Sequence, residues 1–188
     1  MALMVGESGQ AVTFGRLSWV QLGLTMRGQL FGGDMALPTT ANEIWPYIEK
    51  WPFGVLSFVT HKSEARSAGV VYKVKDRALY VLTGRDTWKA KHIGANPNVS
   101  MTVTVQRSPI RIRMMPPAVV TFSGLASIVE LDDVDADLRT ELTRGVGVTP
   151  DTIAIRIEPV GRFVTYGIGI PVMQMRHPDK SVARVPVG

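Results

Sequence analysis

The residues whose types and order best suit chemistry run from Leu79 to Lys91, Leu-Tyr-Val-Leu-Thr-Gly-Arg-Asp-Thr-Trp-Lys-Ala-Lys. The pattern predicts a strand ending at Thr83, a short polar loop, and a helix opening at about Thr87. Hydroxyls stand at both ends of the loop, the first helical turn has free amide donors, and Lys89 brings a full positive charge. That combination suits a phosphate group. The same residues also describe a strand, a turn and an N-capped helix with surface lysines, and chemistry alone leaves both readings open.

Other chemistries find less support. The chain has no cysteine, which excludes disulfides, thiolate metal sites and cysteine nucleophiles. It has no P-loop, no G-x-G-x-x-G and no G-x-S-x-G elbow. His61, His92 and His177 lie far apart in sequence without metal-ligand spacing, and each reads as a surface or satisfied histidine, so no metal is expected. Asp132, Asp133, Asp135 and Asp137 read as a solvated helix start rather than paired catalytic carboxylates. No general acid or base can be named, and Tyr72, Tyr166 and His61 are candidates by residue type only.

The elements that must position the Thr83–Lys89 segment are mostly strands. Thr40-Ala-Asn-Glu43 has the spacing of a capping box and opens a helix through about Lys50, which Pro46 should kink or shorten. Phe53 to Thr60, Ala65 to Lys75 and Ala78 to Thr83, the last two separated by a turn at Asp76-Arg77, read as a three-stranded antiparallel meander. The helix from Thr87 stops at Asn96-Pro97. Asn98 to Gln106 alternates, with Val99, Met101, Val103 and Val105 on one face and Ser100, Thr102 and Thr104 on the other. An irregular basic stretch begins at Arg107. Val119 to Glu130 reads as a long strand bent at Gly124, Asp132 to Arg144 as a helix, and Thr152 to Ile157 and Pro159 to Gly169 as two further strands. Strands interrupted by short helices predict an α+β, mainly β class.

Composition bounds the rest. With 188 residues, 45% of them hydrophobic, the chain can bury one sizeable core. The first 34 residues, rich in glycine and without periodicity, read as an extension; 35–170 is the expected domain and 171–188 a polar tail. No apolar run approaches the roughly 18 residues of a membrane span. Met1 to Gly15 lacks the basic start of a leader, so a cytoplasmic location is expected. The net charge of +5 suits an anionic partner, but no basic run of five or more supports nucleic-acid binding.

The run Tyr-Val-Leu-Thr-Gly-Arg-Asp-Thr-Trp-Lys-Ala-Lys-His-Ile-Gly-Ala-Asn-Pro-Asn-Val-Ser-Met-Thr-Val, from Tyr80, resembles the signature of the pyridoxamine 5′-phosphate oxidase-like, FMN-binding split-barrel superfamily. In that family a strand ending in Tyr/Phe-Thr leads to a loop, Ser-x-Lys, a short helix, Asn-Pro-x-Val-Ser and an alternating strand. Thr83 matches the threonine, Thr87 stands for the serine, Lys89 matches the lysine, and Asn96 to Ser100 match the Asn-Pro-x-Val-Ser run. Upstream, Ala65-Arg66-Ser67-Ala68-Gly69-Val70-Val71 resembles the strand whose arginine helps hold the phosphate and whose backbone lines the ring edge, one residue off the commonest register. The likeness extends loosely from about Asn42 to Tyr166.

The resemblance implies an antiparallel split β-barrel with short flanking helices, paired as a homodimer with the cofactor at the interface. The implied cofactor is FMN or the deazaflavin coenzyme F-420 of many actinobacterial relatives, which a lysine-poor composition typical of GC-rich genomes keeps in contention. Arg66, Thr83, Thr87 and Lys89 would hold the phosphate, with Ser67, Ala68, Leu82 and Trp88 beside the cofactor. The implied activity is hydride transfer to or from a small organic substrate, the cofactor supplying the redox chemistry. Ala118 and Val119 stand where pyridoxamine phosphate oxidases carry an Arg-Gln pair, and the family's C-terminal Arg/His segment that grips the pyridoxal substrate has no counterpart, so oxidation of pyridoxamine phosphate itself is not expected. A non-catalytic flavin- or haem-binding storage module is the alternative.

Overall fold

Alternating side chains on a strand point to opposite faces, so a segment with one apolar face must lie on a core. Asn98–Val105 does this: Val99, Met101, Val103 and Val105 are buried. The computed structural model describes residues 36–106 and 117–188. The expectations for the first 34 residues and for the basic stretch 107–116 lie outside the described residues.

In chain order the elements are α1 (Ala41–Lys50), β1 (Phe53–Val59), β2 (Ala65–Val71), β3 (Lys73–Lys75), β4 (Ala78–Gly84) and α2 (Trp88–Ala95). Then come β5 (Asn98–Val105), β6 (Ala118–Glu130), α3 (Ala136–Thr143), β7 (Thr152–Tyr166) and β8 (Val182–Pro186). Eight strands form one antiparallel sheet in the order β2-β1-β5-β6-β7-β4-β3, with β8 also on β7.

The expected meander is corrected at Tyr72. Ala65–Lys75 is two strands: β2 pairs with β1, while β3 pairs with β4 at the other margin of the sheet. One short piece of chain thus supplies both margins, and the sheet curls on itself. The buried Tyr72 hydroxyl lies 2.9 Å from Ile48 O and 2.8 Å from Trp51 O, tying the joint to α1 and to the residue just past its end. The β3–β4 turn is made by Asp76 and Arg77 at φ 50° and 58°, the mirror-image geometry that suits the twist of a two-residue hairpin.

Ile44, Trp45 and Ile48 of α1 and Ile93 of α2 pack on the inner sheet face, against Leu56, Phe58, Met101, Phe122 and Phe163 among others. Each such side chain contributes about 1.5–3 kcal/mol on burial. A second cluster forms where Val134, Leu138 and Leu142 cover Ala154 on the other side.

Several expected boundaries move. α1 continues through Pro46 to Lys50. The capping box is displaced by one residue: Glu43 accepts from the amide of Thr39 at 2.9 Å and the hydroxyl of Thr40 at 2.9 Å. The Asp132 helix divides into a 3-10 turn, Leu131–Asp133, and α3, which Asp135 caps. The two strands expected around Pro159 are one, β7, interrupted by a bulge in which Phe122 faces Phe163 but Ser123 faces Val160. Gly161 occupies that bulge at φ 73°, a conformation glycine adopts without penalty. The stretch from Pro171, expected as a polar tail, carries two 3-10 turns and β8, whose Ala183 and Val185 are buried.

Candidate functional site

On β4, Leu79, Val81 and Thr83 share the buried face. Thr83 therefore ends the strand with its hydroxyl turned inward, 3.0 Å from the hydroxyl of Thr87. Thr87 caps α2 in extended conformation, donates to Gly84 O at 2.8 Å and accepts from the amide of Ala90 at 3.4 Å. The loop is further fixed by Arg85, whose amide donates to Asp151 O and whose guanidinium pairs with Glu130. That pairing holds the Glu130 carboxyl below its ordinary value.

The hydroxyls at the two ends of the loop are thus engaged with each other and with the backbone. What remains for a ligand is the helix start. The amides of Trp88 and Lys89 lie in the first turn, where no intrahelical acceptor exists, and have no hydrogen-bond partner among the described residues. Lys89 is half-buried, and no ion pair engages it among the described residues.

Alternation sorts the residues of the candidate site by face. Arg66 and Ala68 lie opposite Phe58 and Leu56 on the inner face of β2, whereas Ser67 faces outward and shares a 2.9 Å hydrogen bond with Ser57. Leu82 points away from Thr83, packed beside the α3 cluster, so only its backbone is available on the Thr83 side.

Arg66 and Trp88 meet in one cleft of about 350 Å³, lined also by Thr60, His61, Lys62, Glu64 and His92. Arg66 Nη2 donates to Glu64 Oε2 at 2.9 Å. Trp88 lies over Phe58 with ring centroids 5.1 Å apart. His61 and His92, far apart in sequence, are stacked at 5.8 Å. His92 lies one helical turn beyond Trp88, and His61 stands just past the end of β1, so the packing of α2 on β1 brings the two rings together.

Two of the residues named by type have structural duties. Tyr72 ties the sheet margins, and burial pushes its phenol well above the ordinary range. Tyr166 donates to Met175 O at 2.8 Å. Among the described residues no cluster of three or more His, Asp or Glu could hold a metal ion, and no helix is long and apolar enough to cross a membrane.

No family model and no curated protein matches the chain. Solved structures do. A Listeria innocua protein named for pyridoxamine 5′-phosphate oxidase is 20% identical, with TM-score 0.52 over 63% of this chain and 92% of its own. HutZ, a haem storage protein of Vibrio cholerae, is 16% identical, with TM-score 0.56 over 69% and 96%. A haem-binding protein of Mycobacterium smegmatis is 12% identical, with TM-score 0.59 over 81% and 60%. With the strand order and the curled sheet, these likenesses establish that the chain has the antiparallel split-barrel fold of the pyridoxamine 5′-phosphate oxidase-like proteins.

Proposed function

We propose that the chain is an oxidoreductase that binds FMN or the deazaflavin coenzyme F-420 and exchanges a hydride with a small organic substrate. The observation that carries this reading is the start of α2. Two free amides and a half-buried lysine without an ion pair among the described residues stand on a loop locked by Thr83 and Thr87. This donor set fits a phosphate group, because helix-start amides and a cation stabilise an anion together.

Lys89 and the amides of Trp88 and Lys89 would hold the phosphate from α2, and Arg66 would reach it from β2. Ala68, on the inner face, and the backbone of Ser67 and Leu82 would border the ring system. The flavin or deazaflavin, when bound, supplies the hydride chemistry. The chain's part is to bind, orient and exclude water. Trp88 and Phe58 form an apolar wall suited to that.

A second copy would complete the site. The outer faces of β1, β2, β5 and β6 carry no charged side chain, and Phe53, Val55, Val59 and Val71 are exposed there. Ser67, Ser57, Ser100 and Ser123 succeed one another in register across the same face. An uncharged sheet face of this kind suits burial against another copy.

The stacked His61 and His92 favour one other reading, a haem-binding module, since imidazole ligates haem iron. One absorption experiment separates the two. Purified protein is incubated with FMN, with coenzyme F-420 and with haemin, then desalted. Retention of a flavin or deazaflavin spectrum supports the first reading. A Soret band that His61→Ala or His92→Ala abolishes, with neither flavin retained, overturns it in favour of the second.

A further inference from the structure

We propose that Glu64 sets which anions Arg66 accepts, acting as an intramolecular competitor that the cofactor's phosphate displaces and a single carboxylate does not. The inference rests on the reading that Arg66 meets the cofactor's phosphate, and deepens it.

Among the described residues lining the cleft, Glu64 is the single acidic one, and Lys62 and Arg66 are the cations. Its carboxylate takes a hydrogen from Arg66 Nη2 at 2.9 Å. Nη2 belongs to both of the edges through which a guanidinium grips an anion with two parallel bonds, one edge shared with Nη1 and the other with Nε. Glu64 therefore closes one edge and cancels much of the charge that would draw an anion to the other.

The backbone turn fixes where the Glu64 side chain starts, while both side chains of the pair stay more than half exposed. Thr60 donates its amide to Glu64 O at 2.9 Å, and its hydroxyl accepts from the amides of Lys62 and Glu64 at 3.3 and 3.2 Å. Between them Ser63 holds φ at 62°. The turn presents the carboxylate to Arg66 at a high effective concentration, which a free monoanion must exceed to compete. The cofactor's phosphate, a dianionic monoester in FMN and a singly charged diester in coenzyme F-420, also engages Lys89 and the α2 amides, which a lone carboxylate does not. Glu64 thus acts through Arg66 as a specificity-determining residue.

The test is Glu64→Gln, which keeps the shape and removes the charge. Wild type and variant are titrated at matched ionic strength with FMN, coenzyme F-420 and the phosphate-free riboflavin. Thermal melting verifies that the variant is folded. Because exposed ion pairs of this kind contribute modestly, the variant should bind the phosphate-bearing cofactor that the wild type retains roughly two- to five-fold more tightly. Riboflavin affinity should not change, acetate should compete in the variant alone, and Arg66→Ala should abolish the difference between Glu and Gln. Equal or weaker binding by E64Q, or equal tightening toward riboflavin, overturns the inference while leaving the phosphate reading intact. Failure of the wild type to bind either phosphate-bearing probe overturns both.

Discussion

Thr83 Oγ1 and Thr87 Oγ1 lie 3.0 Å apart, and the proton between them comes from Thr83, because Thr87 donates its own to Gly84 O. One hydroxyl therefore closes the loop while the other is held in place to cap α2. Thr87→Ala should cost about 0.5–2 kcal/mol in urea unfolding, the usual worth of a lost N-cap, and Thr87→Ser should restore most of it. If the alanine variant were as stable as wild type, the capping account would be wrong.

Lys89 is half-buried with no ion pair among the described residues, so its charge is available to a ligand. Lys89→Ala should weaken binding of the phosphate-bearing cofactor by about ten-fold or more, as expected for one charge-assisted contact of about 1.5–3 kcal/mol. Its melting temperature should hardly move. Equilibrium titration with FMN or coenzyme F-420, read beside riboflavin, checks this.

Gly124 permits close strand packing. A Cβ there would come within 2.8 Å of Ile157 Cγ2 and 3.1 Å of Glu158 O. Since the latter is backbone and cannot turn aside, Gly124→Ala should destabilise the fold by about 1–3 kcal/mol, measurable as a lowered denaturation midpoint.

Tyr72→Phe keeps the ring and removes the hydroxyl that serves Ile48 O and Trp51 O. The buried carbonyl of Ile48 would lose that donor, so the variant should lose about 1–3 kcal/mol. Amide exchange in α1 and β3 should rise before exchange in β5 and β6.

Asp135 accepts from Lys75 and from the amides of Leu138 and Asp137, which hold its carboxyl below the ordinary 3.8. The folded value is thus lower than the unfolded one, and the unfolded chain takes up the proton first. The resulting stability is present above about pH 3.8 and is lost as pH falls through the folded value. Asp135→Asn should therefore differ most from wild type near neutrality and converge with it in acid, in urea midpoints tracked against pH.

Where local chemistry decides, the elements were legible in the residues. Val99 to Val105 alternate because one face is buried, and Asn96-Pro97 stops α2 because proline lacks the donor to continue it. The family likeness of Thr83, Thr87 and Lys89 led to the same barrel that the strand pairing builds. Three features were not legible, each for a physical reason. Ala65 to Lys75 is uniformly strand-like, and only the partners on either side reveal its division at Tyr72. Val182–Pro186 is short and comes after two 3-10 turns, so its burial depends on β7, earlier in the chain. His61 and His92 are 31 positions apart, and only the packing of α2 on β1 stacks them.

The division at Tyr72 bears on how the chain folds. The β1–β2 and β3–β4 hairpins close over a few residues each and meet at that one side chain. Their remaining pairings must wait for distant chain, as Tyr80 does for Arg156. Local hairpins form in microseconds, whereas topologies dominated by distant pairings take milliseconds to seconds. The outer edge of β1 stays unpaired until β5 is in place and that of β4 until β7 arrives, and such open edges are where a partly folded chain is exposed to self-association.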